Sequence, residues 1–397
     1  MKITAIEQIR IPPSWIWVKV STDAGITGWG EPYLEGHVET VFAEVERLKP
    51  YLLGQDPTET ERLWRVMYQS GLGYVGGPVK MSALSGLDMA FWDIKGKACG
   101  LPIYRLLGGP VRTRLPVYRA LGSDPIHFVE PGDPYRRGLA RHAPGPKPHD
   151  DVVRGYVETA QEILRWGFKS MKMHVQVSSD FQAQYRIAQI RDSVQAVREA
   201  VGHDIELAID VHNPQPQMAL KLAQLLEPFD LLFMEEPVPV EQVGDIAIVA
   251  SRTTLPIAAG ERWCDKWVFH QALDAGARVM QPDLAHAGGF TELKKIAALA
   301  ECYHAYVAPH CPLSPLSFAA CLQLGAALPN YLVQEHNECN DWQENGRTVI
   351  GAGYFSRSFS LEDDGCIQLD NAPGLGVDIT DDTIREICRK PWSPVRG

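Results

Sequence analysis

Six apolar runs end on a polar residue each: Glu206-Leu-Ala-Ile-Asp210, Leu231-Leu-Phe-Met-Glu235, Pro256-Ile-Ala-Ala-Gly-Glu261, Arg278-Val-Met-Gln-Pro-Asp283, Ala305-Tyr-Val-Ala-Pro-His310 and Tyr331-Leu-Val-Gln-Glu335. From Asp210 onward the closing residues follow one another at intervals of 25, 26, 22, 27 and 25 residues. That interval accommodates one short buried strand, a turn, a helix and the return turn. Parallel strands each followed by a covering helix, repeated at this period, close most readily into a (β/α)₈-type barrel. Residues at the carboxyl ends of successive strands then surround one mouth, where such barrels carry their chemistry. A single Asp or Glu in this position can equally cap the following helix. Six polar residues in register point instead to a shared site.

The chain of 397 residues is longer than the roughly 250 a barrel needs, so a second domain is expected. A formal charge of −11 argues against nucleic acid or an anionic membrane as the principal partner. The eight cysteines form no CxxC pair, which suits free thiols in a reducing compartment. The start, Met1-Lys-Ile-Thr-Ala-Ile-Glu, has no long apolar stretch, and no apolar segment approaches a membrane span. A cytoplasmic location is expected.

Residues 1–115 pattern as an α+β unit. Strands are expected at 3–11 and 16–21, then a turn and a third strand ending Gly28-Trp-Gly-Glu31, followed by helices at 41–51, 58–69 and 79–98. Gly71-Leu-Gly73-Tyr-Val-Gly76 matches GxGxxG literally, but the segment before it has helical spacing where a dinucleotide site requires a strand, so a loop able to close over a ligand is expected instead. The barrel is placed at 116–345, its first strand near 116–121. Residues 123–150, rich in Pro, Gly, His and Arg, form a long loop that suits a lid, an oligomer contact or a plain surface excursion. A helix at 152–166 leads to the second strand, Phe168-Lys-Ser-Met-Lys172-Met-His174, whose alternation sends Lys172 and His174 toward the mouth. The tail, 346–397, is expected to fold back over the first domain.

Asp210, Glu235 and Glu261 offer only oxygen ligands, the preference of a hard cation such as Mg²⁺. A substrate carboxylate bound beside that cation would have its second negative charge stabilised when the neighbouring carbon loses a proton. His310 is the candidate base, with Asp283 one strand earlier to accept its other ring N–H. His212, two residues past Asp210, is placed to protonate a departing hydroxyl, although a loop histidine before Pro214 needs no such role.

These segments together, Ala208-Ile-Asp210-Val-His212, Phe233-Met-Glu235-Glu-Pro237, Ala259-Gly-Glu261-Arg262, Gln281-Pro-Asp283-Leu-Ala-His-Ala-Gly-Gly289, Ala308-Pro-His310-Cys-Pro-Leu313 and Gln334-Glu335, resemble the enolase superfamily, and within it the mandelate racemase subgroup. The first domain shares the resemblance through Gly28-Trp-Gly-Glu-Pro32, Leu53-Gly-Gln-Asp-Pro57, Gly77-Pro-Val-Lys-Met-Ser-Ala83 and Phe91-Trp-Asp-Ile-Lys-Gly96. It implies an α+β capping domain, formed by the N-terminus and the C-terminal tail, over a barrel mouth. It also implies Mg²⁺ held by Asp210, Glu235 and Glu261, a His310–Asp283 dyad that removes the proton beside the carboxylate, and Glu335 near the enediolate. In the galactonate-like acid-sugar dehydratases of the subgroup, the residue matching His212 expels the 3-hydroxyl to give a 2-keto-3-deoxy sugar acid. Lys172 and His174 are then substrate-binding candidates, and the assembly is expected to be a homo-oligomer. Two features depart from those dehydratases. His174 stands where they carry Asn, and the stretch 123–150 has no evident counterpart, so substrate selection is expected to differ there.

Three alternatives stay open on the sequence. A racemase or epimerase would need a second base, for which Lys172 is the first candidate and His174 the second; a sugar-lactone cycloisomerase would use one base; a non-catalytic metabolite-binding protein would need neither.

Overall fold

The structure, a computed structural model, describes residues 1–122, 148–175 and 184–394. The long loop expected at 123–150 therefore lies outside the described residues up to position 147.

Strands β1 (Ile3–Ile11), β2 (Trp15–Thr22) and β3 (Thr27–Gly30) form an antiparallel sheet in that order. Helices α1 (Val38–Leu52), α2 (Thr60–Gln69) and α3 (Pro78–Cys99) complete this unit, and a short α4 (Ile103–Leu106) follows. Val18 and Val20 of β2 pack into a cluster with Val41, Val45, Leu63 and Leu84 from the helices, whereas Trp15 and Trp17 belong to the larger core shared with the barrel. The sheet is thus buried from two sides, which explains an apolar run without clean alternation. Gly28 and Gly30 are needed because α3 runs directly across them. A Cβ would lie 2.1 Å from the Ala90 carbonyl oxygen at one and 1.9 Å from that of Gly86 at the other.

Eight parallel strands follow: β4 (Arg114–Leu121), β5 (Ser170–His174), β6 (Glu206–Asp210), β7 (Met234–Glu235), β8 (Ile257–Ala259), β9 (Val279–Met280), β10 (Tyr306–Val307) and β11 (Gln334–Glu335). Each pairs with the next through β10, β11 pairs with β4, and a parallel bridge between Val307 and Tyr331 closes the ring. Between them run α5 (His149–Arg165), α6 (Gln184–Val201), α7 (Pro216–Leu226), α8 (Ile246–Ala250), α9 (Lys266–Asp274), α10 (Gly289–Glu301) and α11 (Pro315–Ala327). After β11 the chain enters a small antiparallel sheet, β12 (Asp341–Glu344), β13 (Arg347–Ile350) and β14 (Phe359–Ser360), where an eighth covering helix would stand. The interior is filled, not open: Ala208, Ala258 and Ala308 alternate around the ring with Tyr118, Phe233, Val279 and Val333.

The tail divides its contacts. Strand β15 (Cys366–Gln368) pairs antiparallel with the first residues of β4, at the end of the barrel away from the mouth. The chain then passes α12 (Asp381–Ile387) and reaches the first sheet, where the Trp392 indole N–H donates to the Trp15 carbonyl (2.9 Å) and the Ser393 N–H to that of Pro13 (2.9 Å). All eight cysteines are free. Among the described residues no helix is long and apolar enough to cross a membrane.

Candidate active site

The ladder register builds the site. His174 on β5 pairs with Asp210 on β6, and Asp210 with Glu235 on β7, so three polar side chains stand in a row at the carboxyl ends of adjacent strands. Glu261 lies two residues past β8, after Gly260, whose φ of 146° and close packing on Phe269 and Gln281 leave no room for a side chain. Asp210, Glu235 and Glu261 bring one oxygen each to within 4.8 Å of one another. Burial opposes the charge on Asp210, but hydrogen bonds from His174 and His212 override it and hold the carboxyl well below its usual range. Glu235 is pushed the other way: burial raises it, the charges of Asp210, Glu335 and Glu261 add to the rise, and Lys172 pulls against them. A buried cluster with this excess of negative charge is chemically complete with a hard cation among its oxygens.

Asp283 and His310 each lie three residues beyond a strand, β9 and β10 respectively. His310 Nδ1 is 2.8 Å from Asp283 Oδ2, and because an ionised carboxylate only accepts, Nδ1 is the donor. Asp283 is fixed in turn by the Ala285 N–H at 2.7 Å. The free edge of the ring, Nε2, faces Glu261 at 3.6 Å and Glu335 at 3.8 Å. Burial alone would lower the His310 pKa, but Glu261, Glu335 and Asp283 together raise it well above the ordinary imidazole value. Glu335, the last residue of β11, accepts the Cys311 N–H at 2.9 Å. Burial is outweighed there by Lys172 and His310, which bring its carboxyl down to about 2.

Across the ring, His212 and Asn213 continue from β6 with φ of 50° and 55°, and Glu236 follows β7 with φ of 50°. Non-glycine residues held in this region concentrate at functional sites. His212 Nδ1 approaches Asp210 Oδ1 and His174 Nδ1 approaches Oδ2, both at 3.2 Å. Their side chains are 45% and 39% exposed, and the ring centres stand 5.8 Å apart. The hydrogen bond to Asp210 raises the His212 pKa against the effect of burial, with the Asp210, Glu261 and Glu236 charges adding to it.

Lys172 lies deeper than its direction alone implies. Alternation does send it to the same side as His174, but its side chain is 1% exposed, with Nζ 2.7 Å from Glu235 and 3.0 Å from Glu335. Burial disfavours its charge, yet the two carboxylates keep its pKa well above the ordinary lysine value. It is a buried cation between two carboxylates of the cluster, deeper than His174 on the same side of the strand.

Sequence reasoning missed several residues. Gln281 donates to Glu235 at 2.6 Å. Glu236, pushed to about 7 by burial and then by Glu261, pairs with Arg262 at 3.0 Å, and Arg262 also reaches Glu261 at 3.2 Å. The doubled acid at 235–236 and the Glu261-Arg262 pair were the visible signals. His286 is buried beside Asp283 at 3.7 Å. The glycine-rich segment 71–76 lies between α2 and α3, with no strand ahead of it, and Lys80 ties it down by donating to the Ser70 and Tyr74 carbonyls at 2.6 and 3.0 Å.

Comparison with known proteins bears on this geometry. Residues 155–383 match the family described as enolase C-terminal domain-like, and residues 5–108 the mandelate racemase/muconate lactonizing enzyme N-terminal domain. A D-galactonate dehydratase of Pectobacterium atrosepticum is 40% identical over 389 residues, 97% of this chain and 94% of its own length. A mandelate racemase/muconate lactonizing enzyme-like protein from Roseovarius sp. TM1035 superposes with a TM-score of 0.82 at 31% identity, covering 99% of this chain and 96% of its own. The 3,6-anhydro-D-galactonate cycloisomerase of Zobellia galactanivorans superposes with a TM-score of 0.79 at 29% identity, covering 98% and 99%. The sequence matches at both ends of the chain, the closed ring of strands and the antiparallel cap agree: this protein belongs to the enolase superfamily, in its mandelate racemase/muconate lactonizing enzyme branch.

Proposed function

We propose that this chain is a Mg²⁺-dependent acid-sugar dehydratase that converts a galactonate-like aldonate into its 2-keto-3-deoxy acid. The observation that carries the proposal is the placement of two differently held histidines across one carboxylate cluster: His310 with Asp283 at β10 and β9, and His212 at β6, four strands away in a ring of eight. D-galactonate is the first substrate to test, because the Pectobacterium relative carries that activity in its name.

Members of the superfamily bind a divalent metal, and Asp210, Glu235 and Glu261 are the residues that would hold it here. Three carboxylates without a thiol or imidazole among them suit Mg²⁺. When bound, the cation supplies positive charge where the second negative charge of the enediolate develops. Lys172, buried and charged between Glu235 and Glu335, adds a fixed positive charge on the same side. With a cation offsetting the carboxylates that raise its pKa, His310 would be neutral at Nε2 and take the C2 proton there, since Nδ1 is already committed to Asp283, and Asp283 stabilises the imidazolium so formed. His212 gives a proton to the departing 3-hydroxyl, so that water leaves and the resulting enol becomes the 2-keto acid. His174, beside it on the exposed side, reads the sugar's hydroxyls.

A two-base epimerase is the weaker alternative because Lys172, its first candidate for a second base, is 1% exposed with Nζ engaged by Glu235 at 2.7 Å and Glu335 at 3.0 Å, and His174, the other candidate, leans on Asp210 at 3.2 Å. Incubation of the Mg²⁺-loaded protein with a panel of acid sugars that includes D-galactonate tests the proposal. Formation of a 2-keto-3-deoxy product is expected. Inversion at C2 without a keto product, or ring opening of an anhydro sugar acid alone, would replace it with epimerisation or cycloisomerisation.

A further inference from the structure

The two loops that carry the dyad are gripped from the cap by residues remote in sequence. Downstream of His310, the Ser314 hydroxyl and N–H donate to Glu31, the latter at 3.3 Å, and the Ser317 hydroxyl donates to Glu31 at 2.7 Å. Trp17 adds an indole N–H to Ser314 Oγ at 2.8 Å. Glu31 is fully buried, so these hydrogen bonds replace the water its carboxylate would otherwise hold.

The loop downstream of Asp283 is held in the same way, four residues further along the cap. His286 Nε2 is 3.1 Å from Glu35 Oε2, and its Nδ1 is 3.1 Å from Ser82 Oγ on α3. The Glu35 carboxylate accepts from Nε2, while Ser82 Oγ pairs with Nδ1. Gly288 is tied at both of its backbone groups, its N–H to Ser85 Oγ at 2.8 Å and its carbonyl to the Trp64 indole N–H at 2.9 Å. A Cβ on Gly289 would come within 2.5 Å of the Asp88 carboxylate, so the Asp88 side chain of α3 packs directly on the backbone where the loop enters α10. His286 thus meets the cap with both ring nitrogens, and its Nε2 also faces the Asp283 carboxylate at 3.7 Å.

We propose that the cap segment 31–35 is a positioning clamp for the His310–Asp283 pair: Glu31 fixes the loop behind His310, Glu35 through His286 fixes the loop behind Asp283, and the 2.8 Å contact between them depends on both grips. The cap is then part of the proton-abstracting device as well as a cover for substrate. The clamp rests on the assignment of the dyad as base made above. Glu31, Glu35, Ser82 and His286 are positioning residues, since each acts through the His310–Asp283 pair or the loops that carry it.

The test uses the full chain with Mg²⁺ and D-galactonate, and compares Glu35→Ala, Glu35→Gln and Ser82→Ala, with His310→Asn as control. Glu35→Ala is expected to lower kcat by about 10- to 100-fold with KM changed by less than about twofold, and Glu35→Gln, which still accepts from His286, to restore most of it. Ser82→Ala should give a smaller loss of the same kind. A readout independent of turnover is the Nδ1 proton of His310 in ¹⁵N-histidine-labelled protein, identified by its disappearance in His310→Asn. Glu35→Ala should shift or broaden it and Glu35→Gln should not. A Glu35→Ala protein with an unchanged Nδ1 proton overturns the clamp, whatever its melting temperature. Full activity in His310→Asn would overturn the base assignment instead, and the Nδ1 signal would still decide whether the clamp exists.

Discussion

The two sides of the barrel mouth hold their histidines in opposite ways. On the β9–β11 side, His310 is nearly buried, its Nδ1 committed to a carboxylate that a backbone N–H already fixes, and the loops behind both residues are tied to the cap. On the β5–β6 side, His174 and His212 are over a third exposed and lean on the two oxygens of one carboxylate, Asp210. A base that must meet a C–H bond, which offers it no hydrogen bond in the ground state, gains from being placed in advance. An acid that protonates a hydroxyl can be guided by the substrate itself. Under the proposed mechanism, the difference matches preorganisation to proton removal and adaptability to the leaving group.

The largest effect should come from breaking what both sides share. Glu235→Gln is expected to weaken Mg²⁺ binding, measured by calorimetry, and to abolish turnover, while the far-ultraviolet circular dichroism stays native because the lost charge is a mouth ligand and not packing. Chelation of the wild type should do the same and be reversed by Mg²⁺. Next in size is His310→Asn. Loss of the base should slow exchange of the substrate C2 hydrogen with solvent by roughly 10²- to 10⁴-fold, and unchanged exchange would place the base elsewhere.

Smaller effects sharpen the contrast. Asp88 on α3 accepts from the Thr291 N–H at 3.0 Å and hydroxyl at 2.6 Å, just past the Asp283 loop, and burial pushes its carboxyl to about 7. A carboxyl raised on folding adds stability that is complete below its unfolded pKa near 4 and is lost as pH rises through 7. The stability of the wild type relative to Asp88→Asn should therefore fall by about 2–3 kcal/mol between pH 5 and pH 8, measured by denaturant titration. A difference independent of pH would show that Asp88 does not titrate with folding. Smallest in the chemical step is His174→Asn, which should change relative kcat/KM among acid sugars more than kcat on the best of them. An equal loss on every sugar would make His174 part of the chemistry.

Much of this was legible in the sequence because the barrel repeats. Asp210, Glu235 and Glu335 are each the last residue of a strand, so the ends of the apolar runs marked them directly. Glu261, Asp283 and His310 fall two or three residues beyond strands of only two or three residues, and were found by period more than by strand propensity. Depth was less legible than direction. Alternation placed Lys172 and His174 on one side, but the burial of Lys172 comes from Glu235 and Glu335, 63 residues and more away. The cap's grip was illegible for the same reason: Ser82 meets His286 across 204 residues and Glu31 meets Ser314 across 283, distances that no local pattern encodes.

The central claim is that removal of the proton and expulsion of the hydroxyl belong to different histidines. The direct measurement is His212→Asn in deuterium oxide with Mg²⁺ and D-galactonate, following C2 deuteration by NMR and keto acid by a carbonyl reagent in the same sample. Keto-acid formation should fall by roughly 10²- to 10⁴-fold while deuterium still enters at C2, because His310 and Asp283 are intact and the abstraction reverses. Keto-acid formation at the wild-type rate would contradict the account, and so would loss of both activities in His212→Asn together with retention of exchange in His310→Asn.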